Sequence, residues 1–454
     1  MNSQIFREYD IRGLVDTDLT DEVVEHLGRG LATMVKRAGG ASVVVGRDAR
    51  LSGQRFRDAF VAGVVRTGLH VYDVGVVPTP VVYHAANSLP VDGLAVITGS
   101  HNPPQYNGFK MGVGNTTFYG ETIQALRALI ERKDFESGRP GQVIPYDAVT
   151  PYLHFVAGTV TRGPRRLKVV VDGGNGVGGI TALPMLDALG YEVVPLFCEP
   201  DGRFPNHHAD PTVAKNLEQL IAAVRRERAD LGIAFDGDAD RIGVVDEQGD
   251  ILWGDRLMIL LSRAVLKEVP GAAIVGEVKC SFTLYDDIRA RGGQPIMWKT
   301  GHSLIKAKMK ESHAMLAGEM SGHIFYKHRF FGFDDAPYAG ARLLEVLSLQ
   351  EAPLSTLLAD VPVTYSTPEL RVDTPEEQKF AVVKRCTELL RAQGHTLVEI
   401  DGVRATWPDG WGLIRASNTT PLLVVRYEAT SRQRLDEIQA LIEGTIAQAK
   451  REVL

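Results

Sequence analysis

The stretch "LKVVVDGGNGVGGITALPMLDALGYEVVPLF", residues 167–197, decides the fold. A β-branched apolar run enters a glycine-rich loop. Ile180, Leu183, Leu186 and Leu189 then recur at helical spacing until Gly190, and a second apolar run follows. Strand, helix, strand in this order needs a crossover, so the two strands lie parallel. The same grammar occurs twice more. In "SVVVGRDARLSG…RTGLHVYDVG", residues 42–75, Phe56, Phe60 and Val64 lead to Gly68; in "AAIVGEVKCSFT…RARGGQPIMW", residues 272–298, Leu284 and Ile288 lead to Gly292. Three copies of one unit predict three related α/β domains.

Each unit is followed by another apolar strand running into an unusual loop: "LAVITGSHNP", "LGIAFDGDADR" and "AMLAGEMSGH". Ligands of open α/β sheets gather outside the carboxyl ends of strands, so three such loops are expected to share one central cleft. After about residue 362 the pattern changes. "TPEEQKFAVVKRCTELLRAQG" reads as a helix with Thr374 as N-cap, Pro375 at N1 and Glu377 at N3. Four strands separated by Asp-Gly and Pro-Asp-Gly turns follow, and a helix opening at Ser431 ends the chain. The predicted architecture is three α/β domains with mixed sheets, 1–146, 147–250 and 251–362, plus a smaller α+β domain, 363–454. "ESGRPGQVIPYD" is the expected linker between the first two.

Composition bounds the function. At 454 residues the chain exceeds one core. With 44% hydrophobic and 23% charged residues it falls in the ordinary globular range. A net charge of −6 argues against non-specific nucleic-acid binding but leaves room for a local basic pocket. Cys198, Cys280 and Cys386 form no CxxC pair, which suggests neither a zinc site nor a disulfide framework and fits a reducing cytoplasm. "MNSQIFREYDIRG" is charged where a signal peptide needs an apolar core, and no apolar run is long enough to span a bilayer.

The loops carry the chemistry. "DGDADR" places Asp236, Asp238 and Asp240 on alternate residues, so an extended loop turns three carboxylates to one side, where a hard divalent cation would neutralise them. An EF-hand fits less well despite Glu247 at its twelfth position, because Arg241 stands where that loop needs glycine. Gly174, Gly176 and Gly179 satisfy a dinucleotide fingerprint with Glu199 beyond, although glycines at such a turn also serve close packing. "WKTGHS" and "GEMSGH" supply Lys299, His302, Glu319, Ser321 and His323, suited to hydroxyls, anionic oxygens and proton transfer. "RASNTTP" offers Arg415, Ser417, Asn418, Thr419 and Thr420, with Arg426 on the next strand, a cradle for a phosphate dianion. Ser100 and His101 are neighbours whose side chains diverge on regular backbone, and no G-x-S-x-G elbow surrounds them.

"TGSHNPPQYNGFK", "DGDADR", "GEMSGH" and "RASNTTP", in this order and spacing, resemble the α-D-phosphohexomutases, most closely the bacterial phosphomannomutase/phosphoglucomutase branch, and the resemblance runs from "FREYDIRG" onward. It implies that Ser100 carries a phosphoryl group bound to Mg2+, with Asp236, Asp238 and Asp240 completing the metal's ligands. The phosphoryl group would pass between Ser100 and a hexose monophosphate through a hexose 1,6-bisphosphate that reorients in the cleft. Lys110 and His323 are the implied acid/base residues, with His101, Arg12 and Arg241 in the transfer region. Tyr9, Lys279, His302, Glu319 and Ser321 are implied sugar and ligand contacts, and Arg415, Ser417, Asn418, Thr419, Thr420 and Arg426 the distal phosphate site. The implied partners are glucose and mannose 1- and 6-phosphates, with no nucleic acid or membrane, for a monomeric cytoplasmic enzyme of polysaccharide metabolism. The last domain is expected to close over the ligand by a hinge near residues 362–367.

Overall fold

Each crossover unit folds into adjacent parallel strands in the computed structural model, which describes residues 2–417 and 420–453. Ser42–Arg47 runs parallel to His70–Val76, Lys168–Asp172 to Glu192–Leu196, and Ala273–Glu277 to Gln294–Trp298. A third strand (Gly93–Ile97, Leu231–Phe235, Leu316–Gly318) joins parallel on the other side of the first. A fourth (Tyr106–Val113, Ile242–Asp246, Ile324–Tyr326) returns antiparallel beside the third. All three sheets therefore share one strand order: fourth, third, first, second. The antiparallel return has a simple cause. The segments 98–105, 236–241 and 319–323 are too short for a crossover, which needs a dozen or more residues, so the chain must double back. Those three tight returns are the three unusual loops.

Alternation along Ser42–Arg47 shows how the layers meet. Val43 and Val45 face Phe56, Phe60 and Phe109 in a core belonging to the first sheet, whereas Val44 faces the other way. Its core continues through Val96, Val169, Val171 and Ile233 to Ile274 and Leu316, so the first three sheets share one apolar mass. The fourth domain has its own core, including Val382, Cys386, Ile414, Val425 and Ile442. It meets the third mainly through a small cluster of Val278, Trp411 and Leu413. The apolar contact at that boundary is small beside the core that the first three sheets share.

Three local expectations change. "ESGRPGQVIPYD" is not free linker: Val143–Pro145 pairs parallel with His70–Val76, and Val71 N donates to Gln142 O at 2.8 Å. The helix after Thr374 begins only at Lys379 and runs to Ala392. The Thr374 hydroxyl donates back to Val372 O at 3.0 Å instead of capping, and residues 375–378 form a separate turn. Short strands Tyr365–Ser366 and Leu370–Asp373, absent from the sequence reading, pair antiparallel with Leu422–Ala429. At the other end of that domain Ser431 does cap the final helix, accepting from Arg434 N at 3.2 Å.

Candidate active site

The serine loop is held in a strained shape. Ser100 has φ 48°, in the left-handed region that a side chain disfavours. Its amide donates to Thr98 Oγ1 at 2.7 Å, and its hydroxyl lies 3.1 Å from His101 Nδ1. The left-handed turn thus brings together two side chains that regular backbone would separate. The support comes from residues the sequence reading passed over. The buried Arg50 guanidinium donates through Nη2 to Ser100 O at 2.8 Å and to Asn102 O. Through Nη1 it donates to Pro103 O and Tyr106 O, both at 2.8 Å. Its Nε donates to Asp48 Oδ2 at 3.1 Å, an oxygen that also accepts from Thr98 Oγ1 at 2.7 Å and Gly99 N at 3.1 Å. Arg12, on the neighbouring strand, adds bonds to Gly99 O and Asn102 Oδ1.

Against this loop packs the acidic one. A Cβ at Gly237 would lie 2.4 Å from Ser100 O, so only glycine permits the approach. Ser100 Oγ donates to Asp236 Oδ2 at 2.8 Å. Lys110 Nζ, on the antiparallel return strand, contacts Asp238 Oδ2 at 2.7 Å and Asp240 Oδ2. Thr79 Oγ1 donates to Asp238 at 2.6 Å. All three carboxylates are fully buried. Burial, then the charges of Asp240 and Asp238, push Asp236 well above the usual carboxylate range. Burial also works against Asp238, but Lys110 outweighs it and holds that group below the ordinary value. Lys110 is in turn kept a cation by Asp238 and Asp240 despite its burial. Burial, with Arg241 and Arg12, drives His101 well below the ordinary histidine range and keeps it neutral.

This loop fits a divalent metal. The three aspartates offer oxygens within 4.8 Å of one another, and buried Asp238 Oδ1 and Asp240 Oδ1 have no hydrogen-bond partner. Orphaned buried carboxylate oxygens are costly unless a cation completes them, and an all-oxygen donor set suits a hard ion.

The third loop faces the same centre. Arg241 Nε donates to His323 Nε2 at 3.0 Å, which places the imidazole proton on Nδ1. Nδ1 lies 3.0 Å from Asp334 Oδ2, a short contact whose alignment falls short of a hydrogen bond. Lys306 holds the other Asp334 oxygen at 3.1 Å. Burial raises the pKa of Asp334, but Lys306 and His323 outweigh it and leave a carboxylate well below its usual range. His302 stacks on His323 with centroids 5.6 Å apart, and its own pKa is driven down by burial and by Lys306. Glu319 Oε1 accepts from Gly301 N at 2.6 Å, and Tyr9 donates to Thr300 O at 2.8 Å, tying the first domain to the "WKTGHS" loop. Ser321 is partly exposed on the same turn as Glu319.

The fourth domain supplies the far wall. Arg415 Nε donates to Asp401 Oδ2 at 2.9 Å, and Thr300 N donates to the same oxygen at 3.1 Å. Ser417 Oγ and Thr420 Oγ1 lie 2.8 Å apart. Lys279 Nζ contacts Glu369 at 3.0 Å. Arg426 bonds to Lys279 O and reaches Asp255 Oδ2 at 3.4 Å, so it joins the cradle to the third domain and does not point into the open turn. Asn418 and Thr419 lie outside the described residues.

The dinucleotide alternative loses its support. A Cβ at Gly176 would meet Gly237 O at 2.6 Å and one at Gly179 would meet Cys198 O at 2.6 Å, so Gly176 serves close packing beneath the acidic loop and Gly179 close packing against the chain after Glu192–Leu196.

Comparison with known proteins agrees with this geometry. Four family models match in order: "Phosphoglucomutase/phosphomannomutase, alpha/beta/alpha domain I" over residues 3–137, domain II over 150–249, domain III over 253–365, and the C-terminal domain over 369–444. The chain is 47% identical over 444 residues to a phosphomannomutase/phosphoglucomutase of Pseudomonas aeruginosa, covering 98% of this chain and 96% of that one. It is 45% identical to a phosphoglucomutase of Neisseria gonorrhoeae, with 97% and 96% covered. The crystal structure of a phosphoglucomutase/phosphomannomutase family protein from Burkholderia thailandensis superposes with a TM-score of 0.94 at 45% identity, covering 100% of this chain and 99% of that one.

Proposed function

Since the chain belongs to the phosphoglucomutase/phosphomannomutase family, we propose that it moves phosphate reversibly between C1 and C6 of glucose and mannose phosphates, through a phosphorylated Ser100 and a hexose 1,6-bisphosphate. The observation that carries the reading is Ser100 Oγ on a strained turn, 2.8 Å from Asp236 at the edge of a buried three-carboxylate loop. A free sugar hydroxyl attacks the phosphorus, the bond to Ser100 Oγ breaks, the hydroxyl proton leaves to a base, and a proton returns to the serine oxygen. Lys110, which reaches Asp238 and Asp240 beside Ser100, is the candidate to give a proton. His323 is the candidate to take one, at an Nε2 that Arg241 must first release. The bisphosphate then turns over in the cleft, and its other phosphate returns to Ser100.

Asp236, Asp238 and Asp240 would hold Mg2+ beside Ser100, where the cation offsets charge on the transferring group. His101, Arg12 and Arg241 surround the transfer region; Tyr9, Lys279, His302, Glu319 and Ser321 contact the sugar side. Arg415, Ser417, Asn418, Thr419 and Thr420 receive the distal phosphate, with Arg426 bracing the cradle against Lys279. If Glu319 and Ser321 grip the hydroxyls at C3 and C4, C2 is left unread and both sugars are accepted. The same reading divides the chain at 1–146, 147–250, 251–362 and 363–454 and makes it a monomer of the cytoplasm. Among the described residues no helix is long and apolar enough to cross a membrane.

The test is conversion of glucose 1-phosphate and mannose 1-phosphate to the 6-phosphates with magnesium and a trace of 1,6-bisphosphate, together with intact mass for one added phosphate. Turnover and the added mass are both expected to disappear in Ser100→Ala. Turnover surviving that change would remove the serine from the mechanism, and strong selectivity at C2 would remove the sugar assignment.

A further inference from the structure

The fourth domain buries a lysine that none of the motifs includes. Lys379 is the first residue of the helix Lys379–Ala392 and is 1% exposed. Its neighbour Phe380 is 60% exposed and lines, with Glu8, Lys299 and Asp401, a cavity of about 370 Å³ where the first, third and fourth domains meet. Lys379 places its ammonium 5.2 Å from the centroid of the Phe380 ring. Its ammonium donates to Ser417 O at 2.6 Å and to Thr420 O at 3.4 Å, and it contacts Glu376 Oε1 at 2.7 Å. A buried ammonium is expensive to desolvate, and a leucine or methionine would fill the same space at lower cost. What the ammonium supplies here is a three-donor anchor for the backbone carbonyls of Ser417 and Thr420, two residues whose hydroxyls lie 2.8 Å apart.

We propose that Lys379 is a positioning residue for phosphate recognition: its ammonium ties down the carbonyls of Ser417 and Thr420 and so fixes the two residues whose hydroxyls would receive the anion. This rests on the reading of the Arg415 to Thr420 turn as the distal phosphate site. A carbonyl oxygen turned toward a dianion repels it, whereas one tied to an ammonium does not. The Glu376 carboxylate, 2.7 Å from the ammonium, offsets its charge, so what Lys379 contributes is the placing of the two carbonyls. Both hexose monophosphates and the reoriented bisphosphate place one phosphate on this turn, so the contribution is uniform along the reaction. Uniform binding appears in KM and not in kcat.

Lys379→Met keeps the length of the lysine side chain but for its last atom and so removes the donors and the charge. The full-length variant, loaded with magnesium, is expected to show a KM for glucose 1-phosphate raised about tenfold, as for loss of a charge-assisted contact, with kcat within about threefold. The inhibition constant of inorganic phosphate rises in parallel, and the added phosphate mass on Ser100 is retained. A folded Lys379→Met enzyme with parental KM and parental phosphate inhibition overturns the proposal. If that variant unfolds, Lys379→Gln, which keeps a neutral donor toward Ser417, decides in its place: a rise of several-fold in KM supports the proposal and an unchanged KM overturns it. Arg415→Ala is the companion control. An unchanged KM there rejects the cradle itself; a raised KM there beside unchanged Lys379 variants rejects only the role given to Lys379.

Discussion

Arg50→Lys separates charge from geometry in the serine loop. Arg50 spends all its donors on five acceptors: Asp48 Oδ2 and the carbonyls of Ser100, Asn102, Pro103 and Tyr106. Lysine can still neutralise Asp48, but it has three donors radiating from one atom. At least two of the five acceptors then lose their partner, and each unsatisfied buried group costs about 1–3 kcal/mol, so the loop is loosened by about 2–6 kcal/mol. Because Ser100 is held at φ 48°, the released strain moves its hydroxyl. A displacement near 1 Å at a reacting group costs about 100-fold in rate. Urea melts followed by circular dichroism are expected to show a variant that folds cooperatively with a lowered midpoint. Steady-state assays with glucose 1-phosphate are expected to show kcat down about 100-fold and KM within about threefold, since the distal phosphate site is untouched. A variant with parental kcat would show that the fork of Arg50 does not position the serine, and a loss confined to KM would place the effect elsewhere.

Asp334→Asn removes the carboxylate behind His323 and should lower kcat about 10- to 100-fold, the range seen when a histidine loses its orienting partner, while KM and serine phosphorylation stay near parental values; equal losses in KM and kcat would argue against orientation. Chelation is expected to abolish turnover, and readdition of magnesium to restore it and to raise the melting temperature, because the ion binds only the folded arrangement of orphaned Asp238 and Asp240 oxygens. A melting temperature indifferent to the metal would count against that site. His84 is buried among Tyr152, Phe155 and Phe331, and burial lowers its pKa to about 4. Its folded pKa lies below its unfolded one, so its contribution to stability is complete above pH 6.5 and is lost as pH falls toward 4, by about 3 kcal/mol in all. Denaturant midpoints measured at pH 7 and pH 4.5 should therefore fall less in His84→Gln than in the parent, and equal falls would contradict the assignment.

The repeated crossover units were legible because helical and strand periods are local, and so were the three returns, each of which bears a conspicuous loop. The serine, the three aspartates and His323 could be read from those loops. What stabilises them could not. Arg50 acts on carbonyls about fifty residues away, and "GRDARLSG" looks like any strand-to-helix turn. Asp334 sits in "FGFDDAP", where one aspartate is explained by capping, since Asp335 accepts from Tyr338 N at 2.8 Å. The second aspartate was the unread signal. The Thr374 cap failed for a related reason: Thr374 N bonds to Pro421 O, a partner nearly fifty residues on, and that pairing holds the chain in an extended path past the apparent helix start. Asp401 and Glu369 were missed because a lone acidic residue in a hairpin turn or after a short strand has no local mark of the cation it will meet.

The contact between Gly237 and the carbonyl of Ser100 also imposes an order in time. The serine emerges from the ribosome early, yet its backbone rests on a loop synthesised more than a hundred residues later, and its hydroxyl, its lysine and Thr79 all bond to that loop. The first domain alone therefore carries the serine but not its partners from the second domain. Until residues 236–240 have folded against it, a nascent chain holds Ser100 without the packing and the hydrogen bond that the acidic loop provides.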